Sequence, residues 1–352
     1  MVVPRHRLIL SLALLLASHA GAAAQAPRIG KPRPAPPGPS TMPPLPPAII
    51  DDKLAIGGHD VKARQVETRL SVDVNINGHG PYHFLVDSGA DTSVVGLRIV
   101  RELQLPLGTP VILNGMTERS LVDRVKIDSL DLGPTKVENL QLPALDEGDV
   151  GGQGMIGIDA LVRQRIMMDF EKRLIKVEDA SKPAKALPDE IVVVARRSRG
   201  QLILTHVMAN GLSLDAVIDT GSEMTIGNPI LRERLLRRHQ KIETVKAIGV
   251  TGKEIALDVA VIPELRIGGI ILRNLPVAFA DLPPFHIFGI ADEPALFLGT
   301  DVLEQFRKVS LDFQARKVRF QLKRCSPGGI MIQTLASYDT RLASVGNEVC
   351  AQ

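Results

Sequence analysis

The chain has 352 residues, 45% of them apolar and 3% aromatic with no Trp. That is enough for two domains of ordinary size, with cores built from Val, Ile, Leu and Ala. The net charge is +3, and Arg5 and Arg7 supply two of those positives, so the rest of the chain makes no case for nucleic-acid binding. A zinc site is not expected from the scattered His residues.

Residues 1–24 read as an export signal. Arg5, His6 and Arg7 give a basic start, and Leu8 to Ala17 is an apolar run too short to span a bilayer comfortably. Ala22-Ala23-Ala24 then offers a small-residue cleavage site before Gln25. The mature protein is expected to be exported, periplasmic or secreted, and without membrane insertion; an uncleaved anchor is the alternative. Residues 25–48 are dominated by Pro, a composition expected to form neither ladder nor helix and to act as an extended tether. The other reading, a propeptide over a cleft, lacks bulky side chains to fill one.

A first lobe is expected at 49–178. Leu70 to Ile76 alternates apolar and polar like a half-buried strand. Asn77-Gly78 makes a hairpin turn, and Tyr82 to Val86 leads into Asp87-Ser88-Gly89. After a polar linker at 179–190, a second lobe at 191–324 repeats the order: Leu202 to Val207, a turn at Asn210-Gly211, then Leu214 to Ile218 into Asp219-Thr220-Gly221. Arg124 to Leu132 and Glu254 to Ile267 add strands. Short helices are expected at Asp159 to Arg165 and Asp301 to Phe306, with each Asp capping free N–H groups. Asp169 and Asp312 fall at closing hairpins and read as turn or surface groups. The tail, 325–352, holds both cysteines, Cys325 and Cys350. If paired they would close a loop of about 25 residues, a step usually worth about 3 kcal/mol. The sum is all-β with one short helix per lobe.

The halves are copies. The Asp-hydroxyl-Gly triplets are 132 residues apart, the apolar-Gly-x-Asp-x-Leu elements containing Gly157 and Gly299 are 142 apart, and the Asp-Phe pairs beginning at Asp169 and Asp312 are 143 apart. A pseudo-two-fold axis could therefore bring Asp87 and Asp219 face to face. Two carboxyls about 3 Å apart cannot both ionise comfortably, so the pair holds one proton and supplies an acid and a base together. Gly89 and Gly221 would let the backbones approach, Ser88 and Thr220 could hydrogen-bond across the axis, and Gly157 and Gly299 would lie beneath the loops.

These motifs resemble those of the retropepsin-like aspartic proteases, in a single-chain form with two fused lobes. Asp87-Ser88-Gly89-Ala90-Asp91-Thr92 is similar to the retroviral signature, and Asp219-Thr220-Gly221-Ser222 to the form shared with pepsin-like enzymes. The resemblance covers roughly residues 65–178 and 200–322. It implies closed β-barrel lobes and a cleft between them holding an extended peptide or protein substrate. It also implies flap hairpins, by position near Leu113 to Arg119 and Ile248 to Lys253, with Gly115, Gly249 and Gly252 at their bends. The expected activity is endopeptidase cleavage by one dyad in a monomer, with no cofactor beyond water. Ser88 stands where Thr is usual, and neither flap carries the pepsin-type Tyr. A peptide-binding module, or a protease restricted to its own precursor or one partner, is the rival reading. The run Gly152-x-Gly154-x-x-Gly157 matches a dinucleotide fingerprint, but no alternating strand-helix series surrounds it.

Overall fold

The computed structural model describes residues 28–36, 59–66, 69–133, 135–161, 164–180, 184, 190–198, 200–236, 241–323 and 331–334. The leader, most of the Pro-rich stretch, and most of the tail, Cys325 and Cys350 included, lie outside the described residues; within the tail, Met331–Thr334 pairs antiparallel with Ile270–Phe279.

In the first lobe the alternating segment forms the strand Arg69–Ile76, with Leu70, Val72, Val74 and Ile76 buried. Asn77 and Gly78 both take positive φ, 50° and 77°, as the tight turn of a hairpin requires. The chain returns as His79–Val86, antiparallel to the first strand. The second lobe repeats this with Gln201–Ala209, a turn at Asn210 and Gly211 (φ 47° and 85°), and Leu212–Ile218. Both turns are pinned the same way. The Asn77 side-chain oxygen accepts from the Asp128 and Ser129 N–H groups, and that of Asn210 from the Glu264 N–H.

A short strand from far along the chain then slots in beside each Asp-bearing strand. Gly154–Ile156 runs parallel to the end of His79–Val86 and antiparallel to Val94–Gly96. Ala295–Leu298 does the same between Leu212–Ile218 and Ile226–Gly227. The insertion carries ladder pairing past the end of each strand: the Asp87 N–H reaches the Ile156 carbonyl at 2.9 Å, and the Asp219 N–H reaches that of Leu298 at 3.1 Å. Each lobe closes as a six-stranded barrel.

The lobes join through a sheet. Gln164–Asp169 pairs antiparallel with Phe306–Asp312. Leu174–Asp179 and His59–Val66 extend it on one side, Lys317–Leu322 and Glu190–Ser198 on the other. This sheet corrects one expectation. Asp169 and Asp312 do accept turn N–H groups, from Lys172 and Ala315, but they are not on the surface: each is 1% exposed. Arg165 reaches Asp312 at 2.9 Å, and Lys308 reaches Asp169 at 3.4 Å. The pairs sit opposite one another in register across the lobe boundary, where cross-strand partners meet.

Each lobe holds three short helices among the described residues, where the sequence pointed to one. Those after the second motif are Ile158–Leu161 and Thr300–Leu303, shorter than expected because Arg165 and Phe306 already belong to strands. The Pro-rich stretch also departs from expectation. Arg33 and Pro34 pair antiparallel with Leu121 and Ser120, adding a third strand to the hairpin of Val111–Asn114 and Arg119–Val122. Pro is tolerated because the added strand is an edge, and Asp123 anchors it by accepting from the Gly30 N–H at 2.9 Å and from Arg33 at 3.2 Å. Among the described residues no helix is long and apolar enough to cross a membrane.

Candidate active site

Asp87 and Asp219 each stand just past the end of a buried strand, and the two lobes bring them together, both nearly buried at 9% and 5% exposure. The loops cradle them alike. One oxygen of Asp87 accepts the N–H groups of Gly89 (2.7 Å) and Ala90 (3.0 Å). One oxygen of Asp219 accepts those of Gly221 (3.0 Å) and Ser222 (3.2 Å). The two carboxyls also hydrogen-bond to each other. Closeness explains both glycines. A Cβ on Gly89 would lie 2.7 Å from the Asp219 carboxyl, and one on Gly221 would strike the carboxyl of Asp87. Only hydrogen fits at either place.

Ser88 and Thr220 lock the loops across the axis. The Ser88 N–H donates to the Thr220 hydroxyl (2.9 Å), which donates to the Val86 carbonyl (2.8 Å). Reciprocally, the Thr220 N–H donates to the Ser88 hydroxyl (3.2 Å), which donates to the Ile218 carbonyl (2.9 Å). Ser in place of Thr keeps all four bonds, since only the hydroxyl is used.

Gly157 and Gly299 press against the undersides of the loops. A Cβ there would lie 2.6 Å from the Thr92 backbone and 2.5 Å from that of Met224. Asp159 and Asp301 differ from expectation. Each accepts its own next N–H, from Ala160 and Val302, but its carboxylate chiefly ties the second motif to the Asp-bearing loop. Asp159 accepts from the Ser93 N–H (2.9 Å) and hydroxyl (2.7 Å), and Asp301 from the same groups of Thr225 (3.0 and 2.8 Å). Those hydroxyls in turn accept the N–H of Gly157 and Gly299, both at 3.0 Å. Sequence reasoning passed over Ser93 and Thr225, although a hydroxyl six residues after each Asp was a readable signal.

Burial pushes both carboxyls above the ordinary Asp range. Asp87 goes well above it, with the charge of Asp219 adding to burial. Two backbone N–H groups draw each of them back, and at Asp219 the bond to Asp87 and the positive charge of Arg69 also favour the ionised form. Two carboxyls so placed hold one proton between them over a range of pH and titrate as a pair.

The hairpins expected as flaps exist, and their tips meet. The second is formed by Glu243–Ile248 and the start of Glu254–Ile267. Gly115 faces Val250, with its Cβ direction 3.7 Å from that side chain; Gly249 lies against Thr117, Gly252 beside Asp149. The Thr251 hydroxyl donates to Glu118 at 3.1 Å. Met116 from the first hairpin packs on apolar core of the second lobe, and Val250 packs on that of the first. A groove lined by Asn77, His79, Glu102, Leu103 and Gln104 lies at the far end of the His79–Val86 strand and takes no part. His79 and His83 are four apart, but on a strand, and His83 binds Asp73. Among the described residues no three His, Cys, Asp or Glu side chains gather as metal ligands.

A family model described as "Aspartyl protease" matches residues 72–160 and 205–302, together more than half of the chain. Each match takes in one Asp-hydroxyl-Gly triplet and the Gly of one second motif. No curated protein matches the chain.

Proposed function

We propose that this chain, which belongs to the aspartyl protease family in a retropepsin-like form with two lobes, is an exported endopeptidase acting as a monomer through Asp87 and Asp219. The observation that carries the reading is the meeting of the two buried carboxyls, hydrogen-bonded to each other and each cradled by two backbone N–H groups. In this proposal a water between them loses a proton to the ionised carboxyl as its oxygen attacks the peptide carbon. The protonated carboxyl gives its proton to the carbonyl oxygen. The resulting diol collapses as the amine leaves with a proton from the dyad. Ser88, Gly89, Thr220 and Gly221 hold the carboxyls in position, and the backbone edges of the hairpins would pair with an extended substrate.

The test is digestion of an unfolded peptide library between pH 3 and 8 by the chain beginning at Gln25, beside Asp87→Asn and Asp219→Asn. Cleavage should fall by about 10²–10⁴-fold in each variant. Cleavage surviving either substitution would overturn the dyad, and binding of the library without cleavage at any pH would favour a peptide-binding module.

A further inference from the structure

Near the dyad the duplication maps each residue onto the one 132 positions later. Where the map keeps a role, the copies act alike. Arg69 crosses to the second lobe's Asp-bearing loop and meets Glu223 at 2.7 Å, and Gln201 crosses the other way and donates to Asp91 at 2.5 Å. The map fails at the cap of the helix that follows each loop. Gly96 precedes the helix Leu97–Glu102 in the first lobe, and Asn228 precedes Pro229–Leu235 in the second.

Asn228 is fully buried and ties its helix to the stretch 280–294, which carries the helix Pro283–Ile287 and leads into the inserted strand Ala295–Leu298. Its side-chain oxygen accepts the N–H groups of Leu231 (2.8 Å) and Ala295 (3.3 Å). Its amide nitrogen donates to the carbonyls of Glu293 (2.6 Å), Ile290 (3.1 Å) and Ala291 (3.4 Å). A buried amide so placed resists movement of the stretch, because a shift would leave its partners unpaired and out of reach of water. In the first lobe the tie runs in reverse. Glu147, in the equivalent stretch 146–153, reaches over to accept the Arg98 N–H of the helix at 2.6 Å. A Cβ on Gly96 would lie 2.6 Å from that carboxylate and from the Gln153 carbonyl, so an Asn would not fit where the second lobe uses one.

Each tied stretch shares an apolar cluster with an Asp-bearing loop and with the opposite hairpin's tip. In the second lobe Phe285, Phe288 and Ile290 of the stretch join Met224 of the Asp219 loop and Met116 of the first hairpin. In the first lobe Val150 joins Ala90 of the Asp87 loop and Val250 of the second hairpin, with Gly252 beside Asp149. Resting on the protease reading above, in which a peptide runs between the tips and the dyad, we propose that Asn228 and Glu147 are positioning residues for substrate selection. Side chains of an extended peptide point alternately to opposite sides, so each tie fixes the wall met by one flank of the scissile bond. The two walls differ in firmness. Asn228 is buried among the groups it binds and holds a stretch rich in Phe, which makes the second-lobe flank the selective one. Glu147 makes its bond near solvent, where water competes for both partners, which leaves the first-lobe flank permissive.

The test is a cut-site profile of an unfolded peptide library with the wild type, Asn228→Asp, Glu147→Ala and Glu147→Gln. Asn228→Asp keeps an acceptor for the helix and loses the donor to the carbonyls of the stretch. Discrimination in kcat/KM between large apolar side chains and Ala should fall about tenfold at one flanking position and stay unchanged at the other. Glu147→Ala should relax the opposite flank by about threefold, and Glu147→Gln, which keeps an oxygen for the Arg98 N–H, should restore it. A brace with no part in selection would lower Tm and kcat/KM for every peptide alike and leave the profile unmoved. That result would overturn the proposal, as would a change at the same flank in both variants. The Glu147 pair alters a bond near solvent and decides the matter even where Asn228→Asp fails to fold. A wild type that cleaves nothing would overturn the dyad reading instead. Retention of the same peptides by Asp219→Asn, alone and combined with Glu147→Ala, then reads the walls without turnover, and equal selectivity in the two would overturn the positioning role.

Discussion

The two lobes agree most closely where they meet and differ increasingly away from the axis. At the carboxyls the copies match bond for bond, through two N–H donors apiece, reciprocal hydroxyl bonds, and a glycine facing the partner's Asp. One layer out, Arg69 answers Gln201, and in the joining sheet Arg165 answers Lys308. At the periphery the hairpins no longer match. The first has strands of four residues backed by a borrowed third, whereas the second draws on a 14-residue strand that also pairs with the Ile270–Phe279 strand. The copies stay alike where one lobe's geometry constrains the other's most tightly, at the two carboxyls, and differ where the contact between lobes is looser.

The joining sheet offers the largest effect by which to break that comparison. Arg165 is 5% exposed at the side chain and binds both Asp312, itself 2% exposed, and Glu178. Arg165→Met would strand a buried carboxylate and should cost about 3–5 kcal/mol. Its counterpart Lys308 makes a longer contact and is 18% exposed, so water can partly replace it. Lys308→Met should cost roughly 1–2 kcal/mol. Urea midpoints of the two variants measure the difference; equal costs would mean that the lobes contribute symmetrically to their joint.

Much of this was legible in the sequence, for physical reasons. Period-two alternation at Leu70 to Ile76 and the Asn-Gly turns could be read locally, and the paired triplets placed Asp87, Asp219, Ser88 and Thr220 because a repeated motif constrains its own partner. What stayed hidden depends on tertiary contact. Nothing local marks Arg69 or Gln201 as crossing to the opposite lobe. Asp169 and Asp312 looked like turn residues because they are; their burial comes from a sheet assembled from strands some 140 residues apart. The edge strand at Arg33 and Pro34 was obscured by its composition, since a Pro-rich segment has little propensity of its own and pairs only where an edge is offered.

The dyad sharpens the comparison through stability. An Asp in the unfolded chain titrates near 3.8, and Asp87 in the folded chain well above that. The folded chain therefore binds a proton that the unfolded chain has released, and stability falls as pH rises from the ordinary Asp range through the folded value. Asp87→Asn removes the burial cost of that charge and should raise Tm at pH 7, by about 2–4 °C if the gain is ~1 kcal/mol, while losing cleavage. The gain should vanish below the unfolded value. Asp219→Asn should gain less, since the positive charge of Arg69 already favours the ionised form of Asp219. Calorimetry across pH decides it; equal gains would mean the two halves of the dyad are electrically alike.

The smallest effect lies at the hairpins. Asp123 is the anchor of the third strand, accepting from the Gly30 N–H and from Arg33, a side chain 57% exposed. An ion pair so open to water contributes little, so Asp123→Ala should release the edge strand without unfolding the lobe. Hydrogen exchange at Arg119 to Val122 should then quicken about two- to fivefold, for roughly 0.5–1 kcal/mol of lost protection. The second hairpin does not use this anchor: its strand Glu243–Ile248 is held by six register pairs with the long strand, and its exchange should stay unchanged. If both hairpins quicken together, the contact of Thr251 with Glu118 and the packing of Met116 and Val250 on the opposite lobes couple the tips into one moving unit. The peripheral difference between the lobes would then be one of construction and not of motion.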